Sequence, residues 1–285
     1  MSQTTPLTAL ETVTLTSGDA RVVIAPARGG MATRFDVGER AVLFLDEASL
    51  VDTTKNVRGG NPVLFPSPGP LAGDCFERGG RSGRMKQHGF ARLEPWAVVG
   101  QAGSEVTLEL VASEATRAVF PWEFALRIRY ALAGATLTVE TRIESRSDTE
   151  LPFALGFHPY FHVPDAEKAG ARIETDATRA FDNVTKTVVA VQSPLDLTQK
   201  EVDLHLADHS PHAATLQRGE RDRIVVAADP AFGRWVIWTI AGKDFVCLEP
   251  WTAAADALNT GKDLLGVAPG ASRTLTMSIT HVALP

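Results

Sequence analysis

With 285 residues, 44% of them hydrophobic, the chain is long enough to bury a substantial core. A formal net charge of −6 provides no basic field of the kind that draws a protein onto nucleic acid or anionic lipid, so a small-molecule partner is expected. There is no run of about 18 apolar residues to span a bilayer, and the N-terminus MSQTTPLTALETVTL lacks a cationic start followed by an apolar run, which predicts a cytoplasmic protein.

In chain order, Val22-Val23-Ile24 is continuously apolar and reads as a strand buried on both sides. The stretch from Arg58 to Arg92 holds 8 glycines, 4 prolines and 5 arginines; it is poor strand material and reads as a long functional loop. Val106, Leu108 and Leu110 then share one strand face. From Phe124 to Tyr130 the large apolar side chains take one face and Arg127 and Arg129 the other, and Leu137 to Ile143 repeats that alternation. These are antiparallel strands with one wet face. A second polar loop is predicted from Ala190 to Gln217, with three of the 7 histidines. Trp235-Val236-Ile237-Trp238 again reads as a strand buried on both sides, and the best helix candidate runs from about Ala253 to Leu258, closed by Asn259 and Gly261. Leu275, Met277 and Ile279 alternate in a last strand, and turn signals such as Ala133-Gly134-Ala135, Asp229-Pro230 and Pro269-Gly270 separate the elements. With no repeat or composition break, the reading is a single all-β domain over residues 1–285, a large antiparallel β-sandwich. Cys75 and Cys247 are too few for a disulfide framework and have no CxxC neighbours, so both are expected reduced.

Three segments could carry chemistry. In Gly156-Phe157-His158-Pro159-Tyr160-Phe161-His162, an imidazole flanked by aromatics and a rigid proline is a candidate general acid, with hydrogen-bonded packing as the bland alternative. In Phe245-Val246-Cys247-Leu248-Glu249-Pro250-Trp251, a carboxylate ends an apolar strand; it is paired, put to use, or simply reaching water. In the long loop, Arg58 and His88 can donate hydrogen bonds to ligand hydroxyls, against the reading of a solvated basic loop. Metal binding is not expected: Pro159 and Pro164 oppose a helix that would bring His158 and His162 together, and His205, His209 and His212 match no well-defined zinc spacing. No GxSxG elbow or phosphate-loop glycine pattern is present.

Four segments in order resemble the aldose 1-epimerase family, also called galactose mutarotases: Arg58-Gly59-Gly60-Asn61-Pro62, Gln87-His88-Gly89-Phe90-Ala91-Arg92, Gly156-Phe157-His158-Pro159-Tyr160-Phe161 and Leu248-Glu249-Pro250-Trp251-Thr252. The resemblance implies a β-supersandwich with a sugar across a concave sheet. It implies that His158 protonates the ring oxygen, that Glu249 takes the proton of the anomeric hydroxyl, and that His88 and Arg58 hold sugar oxygens. Asp208 falls near the family's sugar-binding aspartate, and Arg92 is grouped with the substrate-binding residues. The partner is then a free or phosphorylated aldose, with no cofactor or metal, for a monomer or homodimer. Arg58, Arg81, Arg84, Lys86 and Arg92 in or beside one loop make a hexose 6-phosphate the rival substrate, and a non-catalytic carbohydrate-binding domain is the rival class. Mutual attraction is expected to keep His158 and Glu249 both charged at rest.

Overall fold

The computed structural model describes residues 10–285. The N-terminal stretch read for a targeting signal therefore lies largely outside the described residues. Strand dominates, at about 50% against 9% helix, and every named strand pair is antiparallel. One eight-stranded sheet runs in the order Ala171–Glu174, Ala213–Arg218, Asp222–Ala228, Ser272–Ala283, Thr136–Ser145, Phe124–Ala133, Glu105–Val111, Ala97–Ala102. A second runs Thr187–Ala190, Arg179–Asp182, Glu201–Leu206, Arg234–Ile240, Phe245–Trp251, Gly156–Phe157, Val63–Leu64, with Tyr160–His162 also paired to Phe245–Trp251. A four-stranded sheet near the N-terminus begins with Val13–Ser17 and Ala20–Ala25.

Period-two alternation explains how the sheets stack. Register places Leu126 opposite Ile143 and Tyr130 opposite Val139 on one face, while Arg127 faces Arg142 and Arg129 faces Glu140 on the other. The apolar face joins Leu275, Met277 and Ile279 in one buried cluster with Trp235, Ile237, Val246, Leu248, Phe157 and Phe161 of the second sheet. A strand hydrophobic on one face must bury it against another layer, and here the two large sheets do that for each other.

Several local expectations are corrected. In Ala20–Ala25, Val22 and Ile24 are buried but Val23 is only half-buried, so the strand has one partly open face. Trp235, Val236 and Ile237 are all buried as expected, and only Trp238 is half-buried, on the face where it and Val236 line a cleft. The long loop is partly structured: Val63–Leu64 joins the second sheet, and Cys75–Arg78 pairs with Arg81–Arg84 as a hairpin. Gly89, at φ +68°, lets this segment turn back so tightly that a Cβ there would lie 2.1 Å from the Phe65 carbonyl oxygen. Ala190 to Gln217 contains two strands, Glu201–Leu206 and the greater part of Ala213–Arg218. Buried Val202 and Leu206 alternate there with polar neighbours, and backbone pairing on both sides outweighs the polar composition. The late helix is Ala257–Thr260, shifted toward the C-terminal end of the predicted span and ended by Gly261 in the left-handed conformation. Two further short helices, Glu47–Val51 and Glu114–Val119, are capped by Asp46 and Ser113. Among the described residues, no helix is long and apolar enough to cross a membrane.

Candidate active site

The second sheet separates core from chemistry by parity. Along Phe245–Trp251, Val246 and Leu248 enter the core, so Cys247, Glu249 and Trp251 take the opposite face. Pairing of Gly156 with Trp251 and of Tyr160 with Cys247 holds one register through the interruption at His158-Pro159. That register sets His158 directly opposite Glu249. Proline has no N–H to give the ladder, and the His158 and Tyr160 N–H groups bond instead to the carbonyls of Pro62 and Gly60. Two cross-strand rows result. One runs His205, Val236, Glu249, His158; the other runs Asp203, Trp238, Cys247, Tyr160.

All of these residues but the fully buried Cys247 line a cleft of about 410 Å³ whose walls include Arg58, Gln87, His88, Arg92, Asn183 and Glu201, within the range of small-molecule sites. His158 Nδ1 lies 3.4 Å from Glu249 Oε1, with the two side chains 10% and 2% exposed. The contact lacks hydrogen-bond geometry, and Nδ1 has no other partner. Tyr160 stacks on the imidazole at 4.6 Å and Trp238 meets its edge at 5.7 Å, fixing the ring plane. The Trp251 indole N–H donates to Glu249 Oε2 at 3.1 Å, fixing the carboxylate. Trp251→Phe removes that donor while keeping an aromatic ring. If this hydrogen bond positions the base, turnover should fall about tenfold with little change in KM; an unchanged kcat would leave Trp251 a packing residue.

The expectation that both members rest charged is corrected. Burial lowers His158 to about 3, helped by nearby Arg92, and burial raises Glu249 well above the ordinary carboxylate range. Desolvation is the largest influence on both groups and disfavours the charged form of each, against the expectation of a charged pair.

The flanking groups are polar and oriented. His88 Nδ1 accepts from the Gly69 N–H at 3.0 Å. Burial holds this ring well below the usual histidine value, so it is neutral with its proton on Nε2, which lies 3.2 Å from the Gln87 side-chain amide at the cleft wall. Arg58 stacks over Trp238 at 5.8 Å. Arg92 donates to the Gln87 carbonyl at 2.9 Å, and its buried Nε has no partner. Among the described residues neither guanidinium has a carboxylate within 4.0 Å.

Thus His158, Glu249, Arg58, His88 and Arg92 meet in one cleft. Asp208 does not. Its carboxylate accepts from the Thr178 and Arg179 backbone N–H groups and the Thr178 hydroxyl, tying a strand end outside the cleft. The aspartate facing the cleft is Asp203, held by the Asn183 side-chain amide at 2.7 Å and lying 3.2 Å from His205 Nε2. Asp203, His205 and Asn183 were not among the predicted site residues. The signal was the alternation Val202-Asp203-Leu204-His205-Leu206, masked by its polar surroundings. The three histidines do not converge either. His209 lies 3.0 Å from Asp176 and His212 is exposed, because His205 sits on a strand, where four residues cover about 13 Å.

The family described as Aldose 1-epimerase matches residues 11–280. The chain belongs to the aldose 1-epimerase family. It is an isomerase acting on carbohydrates, interconverting the anomers of an aldose. The crystal structure of the Slr1438 protein from Synechocystis sp. PCC 6803 is 36% identical and superposes with a TM-score of 0.93, covering 99% of this chain and 98% of that one. Protein LacX of Lactococcus lactis is 26% identical over 72% of this chain and 78% of its own length. A protein of Cenchrus ciliaris provisionally named glucose-6-phosphate 1-epimerase is 27% identical over 92% of this chain and 81% of its own length. The galactose mutarotase-like supersandwich expected from the resemblance agrees with these neighbours.

Proposed function

We propose that His158 and Glu249 carry out the mutarotation by sharing a single proton. Opening the ring removes a proton from O1 and gives one to the ring oxygen, and both oxygens are bonded to C1, so one acid and one base must converge on one carbon. When a cyclic sugar binds, the proton moves from Glu249 across the 3.4 Å gap to His158. His158 then protonates the ring oxygen as its bond to C1 breaks, and Glu249 takes the O1 proton as the C1 carbonyl forms. Each member of the pair is now uncharged, the form that burial favours for both. Rotation about C1–C2 presents the other face of the aldehyde, and the two transfers reverse on closure. His88, Arg58, Arg92 and Asp203 hold sugar oxygens. The observation that carries this reading is the buried histidine set opposite the buried glutamate across one strand pair. Polarimetry on pure anomers tests it: anomers that equilibrate only at the uncatalysed rate would make the chain a sugar-binding module.

The choice of sugar rests on a separate observation. Arg58 and Arg92 bring two guanidinium groups without carboxylate partners to one cleft, which favours a 6-phosphorylated aldose. The provisional name of the Cenchrus ciliaris relative points the same way. A charge-assisted contact contributes about 1.5–3 kcal/mol, so kcat/KM should be about 10- to 100-fold higher for glucose 6-phosphate than for glucose. Arg92→Ala should narrow that ratio. Equal efficiency on the two sugars would overturn this substrate reading and leave the proton mechanism standing. We place the enzyme, read as one domain, in the cytoplasm, where the free thiols of Cys75 and Cys247 stay reduced.

A further inference from the structure

Below the catalytic pair lies a side chain that the mutarotation does not use. Cys247 is fully buried and shares a sheet face with Glu249 two residues on. One ligand atom from each of His158, Cys247 and Glu249 can be chosen so that all three lie within 4.8 Å of one another. The His158 Nδ1 atom is buried and has no hydrogen-bond partner.

We infer that the floor of the cleft is an inhibitory site for a thiophilic divalent cation such as zinc, bound by the His158 imidazole, the Cys247 thiolate and the Glu249 carboxylate. The donor set of nitrogen, sulfur and oxygen is one that zinc favours, at about 2.0–2.3 Å from each atom. Tetrahedral geometry at those lengths, with one sulfur among the donors, sets them about 3.3–3.5 Å apart. The present spacing, at most 4.8 Å, is therefore too open by at most about 1.5 Å, within reach of side-chain rotation. One thiolate and one carboxylate neutralise the cation, so the dry floor takes up no net charge, and binding releases two protons, one from the thiol and one from the pair. The cation occupies both atoms that must pass protons to the sugar, so it blocks turnover. The inhibition, though not the binding, rests on the catalytic reading above.

The test uses the full chain stripped with EDTA and titrated with cobalt(II) or zinc chloride. A near-ultraviolet thiolate-to-cobalt charge-transfer band should grow to one cobalt per chain and vanish when zinc displaces it. Mutarotation should fall in step with zinc and recover on adding EDTA. Cys247→Ala should keep its uninhibited rate, lose the band and become at least tenfold less sensitive to zinc, and Cys247→Ser, which preserves volume, should behave alike. Absence of the band in the unmodified protein, or variants that stay as sensitive to zinc as the unmodified protein, would overturn the site. A band that saturates while the rate is untouched would support the site and overturn instead the roles of His158 and Glu249.

Discussion

Glu249→Gln is expected to slow anomer exchange by about 10² to 10⁴-fold, the usual contribution of one positioned acid or base. Glutamine keeps the shape of the side chain and an oxygen to accept the Trp251 indole N–H, so the loss reads proton transfer rather than packing. His158→Ala should cost a similar factor. The double variant should be scarcely slower than either single one, because a shared proton is useless without both holders. The glutamine variant should also unfold no earlier than the parent, since it removes an ionisable group from a fully buried position. The measurement is the initial polarimetric rate on a pure anomer, with thermal unfolding as the control. Rates within about twofold of the parent in both single variants would remove the pair from the mechanism.

The pH profile should show the same sharing. The competent pair carries one proton, so activity is lost on the acid side when the second proton adds and on the alkaline side when the last one leaves. Ordinary values of 6.5 for the imidazole and 4.5 for the carboxyl group would confine the single proton to a narrow interval. Burial reverses their order. His158 is protonated as the second site only near 3, and Glu249 gives up its proton well above the usual carboxylate range. The prediction is a broad plateau in kcat/KM, with an acid limb far below 6.5 and an alkaline limb assigned to Glu249. The measurement belongs on a free aldose, because a phosphate ester has its own ionisation near pH 6. An acid limb centred on the ordinary imidazole value would show that the cleft is wet enough to undo the desolvation argument.

Alternation along single strands made the sandwich legible in advance. Leu126, Ile128 and Tyr130 against Arg127 and Arg129 dictate one buried and one wet face, whatever their neighbours are. Aspartates were harder. Asp203 and Asp208 both lie in a polar stretch, and they differ because one points from a strand into the cleft while the other closes a strand end on Thr178 and Arg179. The short helices at Glu47–Val51 and Glu114–Val119 were missed because each carries too few residues for a helical period to register.

By itself the sequence determined the all-β class and the four ordered segments whose resemblance to the aldose 1-epimerases implies an acid and a base at His158 and Glu249. Those are properties of residue type and near spacing, which local backbone geometry transmits directly. The tertiary structure decided what meets what: that a continuous register sets His158 against Glu249, that Asp203 rather than Asp208 faces the cleft, and that burial disfavours charge on both members of the pair. Register between distant strands and the loss of water around a charge depend on the whole packed sheet, and no stretch of chain carries either one alone.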